Sequence, residues 1–122
     1  MNPGEAPPGP LGPGDLQLIE SPPLPALERH HLRLLAHCLR CLQQIAGGRS
    51  GPVPPITAIE AWMADQPQIQ GDPGFGPVLL VQLQNGAAQL ESLAAELGCD
   101  PLALDLPQLI TRAQAQAEPD PG

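Results

Sequence analysis

Between Glu28 and Cys41 the chain reads ERHHLRLLAHCLRC, a stretch with all three histidines, two of the three cysteines and three of the five arginines. Thiols, imidazoles and guanidinium groups at this density can ligate a metal, run redox chemistry or grip anions. A structural zinc ion takes four ligands in a tetrahedron, with its close cysteine pair commonly in a turn. Cys38 and Cys41 have C-x-x-C spacing, but there is no second close pair, and Cys99 and a histidine would have to converge on them. A reactive C-x-x-C draws its low thiol pKa from a helix N-terminus, whereas this pair falls well inside a helical pattern. His37-Cys38-x-x-Cys41 is also not the C-x-x-C-H order of haem attachment. No metal and no cofactor is therefore expected, and a zinc or thiol sensor through Cys38, Cys41 and Cys99 stands as an alternative function.

Other catalytic chemistry finds no pattern. Ser21, Ser50 and Ser92 lack the G-x-S-x-G or S-x-x-K context of a nucleophile. GFGP at residues 74–77 puts Pro77 where a phosphate loop needs an N–H donor. The expectation is a protein that is not an enzyme.

The arginines ask for a different account. Arg29 and Arg33 are four apart, and like charges at that spacing cost a helix about 0.2–0.5 kcal/mol. Both also lie in the first turns, where the helix dipole disfavours cations. Helix stability therefore does not explain them. Arg29, Arg33, His37 and Arg40 share one polar face, which faces either the chain's own carboxylates, such as Glu91 and Glu96, or an acidic protein partner. These four residues are the expected partner-binding surface.

The elements that carry these groups follow from periodicity and breakers. The first helix is expected from Pro25 to Ala46, stopped by Gly47 and Gly48. Leu27, His31, Leu34, Leu35, Cys38, Leu39, Leu42 and Ile45 form its inward face, so His31 is expected in the core. A short helix follows, with Thr57 and Glu60 at capping-box spacing and Pro67 as its end. A third helix begins between Pro73 and Val78 and runs to Leu97, with Leu79, Leu83, Leu90, Leu93 and Leu97 inward. Gly86 lies on that face and invites close backbone approach. The last helix spans Leu106 to Ala117.

Composition sets the rest. The 122 residues are 42% hydrophobic but only 2% aromatic, so the core is aliphatic. With no strand-like alternation, the fold class is all-α, a small bundle of about four helices over residues 24–117. Residues 1–23 are rich in Pro and Gly and read as a disordered tail, although Leu16–Glu20, LQLIE, is apolar enough to dock. Residues 118–122 read as a frayed end.

The net charge is −8 and the chain has no lysine, which disfavours nucleic acid and anionic membranes as partners. Four of the five arginines nevertheless fall in residues 24–51. No apolar run reaches membrane-span length, and residues 1–10 lack a basic n-region and an apolar h-region. A cytoplasmic protein is expected. So lean a core is compatible with self-association.

One segment resembles a bacterial helix-turn-helix of the repressor kind: LAAELGCDPLALDLPQLI, Leu93–Ile110. Ala94 and Gly98 take the small positions and Leu104 the inward residue of the second helix. The resemblance implies an acidic transcriptional regulator, a further alternative. Pro107 falls in the recognition helix, however, and Asp100 and Asp105 would meet phosphates with no cation before Arg112. The preferred reading is a small non-enzymatic interaction or accessory module that uses the basic face of its first helix.

Overall fold

The structure, a computed structural model, describes residues 11–72 and 74–117, with Gln68 described by its backbone only. Residues 1–10 of the expected tail and the expected frayed end at 118–122 lie outside the described residues. In chain order the helices are α1 (Pro13–Glu20), α2 (Ala26–Ala46), α3 (Ile56–Ala64), α4 (Pro67–Gly71), α5 (Phe75–Leu97) and α6 (Leu106–Ala117), with a 3-10 turn at Pro101–Ala103. No strand occurs among the described residues. The fold is an all-α bundle, with α1 and α4 beyond the expected four helices.

Local chemistry explains most boundaries. Helix α2 stops at Gly47, which takes the left-handed conformation (φ 77°) and donates its N–H to the carbonyls of Gln43 and Gln44. Helix α5 stops in the same way at Gly98 (φ 70°). Helix α6 opens on a reciprocal capping box in which Asp105 and Gln108 exchange two N–H···O bonds of 2.9 Å. Pro107 does not break α6, because it occupies the first turn, where no intrahelical N–H is needed. Helix α3 starts at Ile56 with Pro55 as its cap, so the Thr57–Glu60 box is not formed. Pro67 opens α4 rather than simply ending a helix.

The largest departure is α1. Residues 13–20, expected within a disordered tail, are helical. Pro13 takes the first helical position and Gly12 donates its N–H to Asp15 Oδ2 at 3.2 Å. Eight residues cannot hold a helix alone. Tertiary burial does so here: Ile19 is fully buried, Leu11 is buried, and α1 packs on α2 and α6. Burying one such isoleucine contributes about 1.5–3 kcal/mol.

Helix α2 runs through the middle, against α1, α3, α5 and α6. The core is aliphatic: Leu39, Leu42, Leu83, Leu90, Leu102, Leu104, Leu106 and Leu109 are all but inaccessible. At the α2–α5 crossing the backbone of Gly86 lies against Cys38, and a Cβ there would sit 2.6 Å from Cys38 Sγ and 2.7 Å from its Cβ.

With α1 packed beside it, the buried stripe of α2 is turned toward the arginines. Leu32, Ala36 and Gln43 are buried, while His31, Leu27 and Leu34 are exposed. The expectation of a core histidine at 31 is therefore corrected. Leu97, also expected inward, is exposed at the end of α5.

Candidate functional site

The arginine face of α2 is built around α1 and the segment that follows it. Arg29 Nη2 donates to the carbonyls of Pro22 (2.6 Å) and Leu24 (3.3 Å), which pins the link between α1 and α2. Glu20 then stands between two guanidinium groups, 3.5 Å from Arg29 Nη1 and 2.9 Å from Arg33 Nη2. One carboxylate so placed removes the repulsion expected between cations four apart. Arg40 makes a two-pronged pair with Asp15, Nε to Oδ2 at 3.1 Å and Nη2 to Oδ1 at 2.9 Å. The guanidinium hydrogen-bonded to Asp15 holds its carboxyl below the ordinary carboxylate value.

Arg40 reaches further. Its Nη1 donates to Gln43 Oε1 at 3.0 Å, and Gln43 Nε2 donates to the Leu102 carbonyl at 3.0 Å. Gln43 is the buried polar side chain among the described residues. The relay Asp15–Arg40–Gln43–Leu102 thus ties α1, α2 and the 3-10 turn. The acids that meet the arginines are Asp15 and Glu20; among the described pairs Glu96 meets Arg112 instead, at 3.1 Å.

The sulfur and imidazole groups do not converge. Among the described residues no group of three or more His, Cys, Asp or Glu side chains is placed to hold a metal ion. Cys38 and Cys41 are buried, and all three cysteines are free thiols. Burial pushes the Cys38 thiol up to about 11 and the Cys41 thiol up to about 12. Both stay protonated at neutral pH, which is the inert condition for a thiol. Cys38 donates to the Gln82 carbonyl at 3.5 Å, and Cys41 Sγ lies 3.8 Å from His37 Nε2. Burial also lowers the pKa of His37.

On the other flank of α2, a groove of about 500 Å³ runs between α2 and α5. Leu34, Val78 and Val81 line it and are 38%, 62% and 55% exposed. Cys38 and Gly86 form the close crossing at its floor. Its remaining lining has no carboxylate and no arginine: it is His31, Leu35, and the amides of Gln82, Asn85, Gln89 and Gln116. A smaller cleft continues from it past His31 and Gln89 to Glu28 and Arg112. Such a surface can bury apolar side chains and satisfy a backbone through its amides, and the thiol it holds, Cys38, stays protonated at neutral pH. The sequence reading placed Leu34 in the core and did not single out Val81. The available signal was Val78–Val81, VLLV, which is apolar beyond the single stripe a core-facing helix requires.

The helix-turn-helix-like segment forms the end of α5, the 3-10 turn and α6. Glu96 and Asp105 are exposed there, so the surface it presents is acidic. No helix among the described residues is long and apolar enough to cross a membrane.

No curated protein and no solved structure matches the chain. Residues 11–120 match one family model, described as NDH complex assembly factor CRR9. The match takes in every helix described above, α1 included, and an assembly-factor family fits an accessory role with protein partners rather than catalysis. The chain belongs to the family of the NDH complex assembly factor CRR9.

Proposed function

We propose that this protein is a non-enzymatic accessory factor in assembly of the NDH complex, and that it works by holding a protein of that complex on the α2–α5 groove. The observation that carries this reading is the exposed trio Leu34, Val78 and Val81 in a groove lined by no carboxylate and no arginine. Exposed apolar side chains gathered in one groove mark an interaction surface more than single ones do. The occupant is an apolar polypeptide segment whose flanks are basic. Seven carboxylates of the described residues, Glu28 among them, have no ion pair, whereas only Arg49 of the arginines lacks one.

Co-purification tests it. The tagged Leu34→Gln/Val81→Gln double variant keeps its melting transition, because both side chains are already exposed, and loses the NDH complex proteins that the wild type retains. Retention at wild-type level overturns the groove as the contact.

A second reading keeps the basic face as the contact for an acidic partner. It is favoured by the exposure of the Glu20–Arg33 pair, whose side chains are 52% and 41% exposed. Exposed pairs are worth about 0–1 kcal/mol, so an acidic partner can take the place of Glu20. Glu20→Gln would then strengthen capture of that partner, whereas the groove reading predicts no change. The face is narrower than Arg29, Arg33, His37 and Arg40 together, because Arg40 is committed to Asp15 and Gln43.

A further inference from the structure

At the opposite end of α5 a second groove, about 440 Å³, opens against α6. We infer that it docks a lysine- or arginine-bearing apolar segment of a partner protein. Leu93 and Leu97 lie on its apolar side, and Leu97 is 50% exposed. Two carboxylates, Glu96 and Asp105, line it as well. Asp105 is fixed by its capping box with Gln108, in which Oδ1 accepts the Gln108 N–H while Oδ2 has no hydrogen bond among the described residues. Glu96 gives Oε2 to Arg112 at 3.1 Å, and its Oε1 likewise has no partner there. Arg112 therefore offsets one of the two acids and leaves the groove net negative.

Charge decides the occupant. A nucleic acid would meet these carboxylates with its phosphates. The chain's own segments outside the described residues hold Glu5, Glu118 and Asp120 and no Arg, Lys or His. Among the described residues a second copy has only Arg49 of its arginines outside an ion pair, one cation against two carboxylates. Cations matched to Glu96 and Asp105 must come from a different protein. This surface is separate from the α2–α5 groove, so the inference does not depend on which complex the protein serves.

The test uses the full chain labelled with nitrogen-15, titrated with two synthetic amphipathic peptides of equal length, one of leucine and lysine, the other of leucine and glutamate. The leucine–lysine peptide is expected to shift the amides of Leu97, Asp105 and Thr111. Glu96→Gln/Asp105→Asn should weaken it about fivefold, as loss of two exposed charge pairs implies. Asn caps a helix as well as Asp, so α6 is preserved. Glu60→Gln/Asp72→Asn removes the same charge elsewhere and should change binding less than the groove pair does. Equal weakening by the two double variants, shifts that avoid α5 and α6, or equal binding of the leucine–glutamate peptide would each overturn the inference.

Discussion

Cys38 and Cys41 illustrate how surroundings, not spacing, set the chemistry of a side chain. Both thiols are raised by burial, to about 11 and about 12, while Cys99 is only half-buried. A maleimide reagent at neutral pH is therefore expected to modify Cys99 in the native protein and to reach Cys38 and Cys41 only after denaturant is added; mass spectrometry of the quenched reaction reads this directly. Rapid native labelling of Cys41 would contradict its burial. Acid acts through two other groups. His37 is neutral-favouring in the fold, so the unfolded chain binds its proton first. Stability then declines as the pH falls through 6.5, the ordinary histidine value, and His37→Gln removes that decline. Asp15 is ion-favouring in the fold, so its contribution is full above 3.8, the ordinary value, and is lost as the pH falls below it. Denaturant midpoints measured from pH 8 to pH 3 should show both steps in wild type and only the lower one in His37→Gln.

At the scale of elements, α1 is a built part of the bundle, held by Ile19 in the core and by Asp15 on Arg40. Arg40→Ala should cost about 1.5–3 kcal/mol, the range for hydrogen bonds to charged groups, because it also leaves Gln43 without its donor. Arg33→Ala should cost less than about 1 kcal/mol, its pair being exposed. Urea denaturation separates the two. Gly86→Ala should destabilise by about 1–3 kcal/mol, since the new methyl group meets the Cβ of Cys38 rather than a flexible chain end. Helices α2 and α5 were legible because their 3.6-residue periodicity ends on glycines, and α6 from its periodicity alone, the Asp105–Gln108 box that starts it being a finding of the structure. Helix α1 was not, since its Pro and Gly content outweighs an apolar pattern of five residues. Its Pro13 and Asp15 do occupy the first and third helical positions, a weak starting signal that only packing turns into a helix.

Charge and apolar surface divide differently over the whole molecule. The arginine face was visible in the sequence as a set of cations that a helix does not want, but Asp15 and Glu20 were not identifiable as their partners. That pairing depends on where an eight-residue helix packs. The α2–α5 groove was hidden for a related reason: Leu34, Val78 and Val81 look like core residues until one knows that none of the described helices covers them. Once α1 satisfies most of the arginines, most of the outward charge left among the described residues is carboxylate, and four of the exposed large apolar side chains, Leu34, Val78, Val81 and Leu97, are gathered in two grooves. The most direct test of the proposed role is photocrosslinking in the native host, with a benzophenone amino acid placed at Val81, at Arg33 or at Glu60. The groove reading predicts a crosslink to an NDH complex protein from Val81 and none from Glu60 or Arg33. A crosslink from Arg33 with none from Val81 would contradict it and move the contact to the basic face of α2.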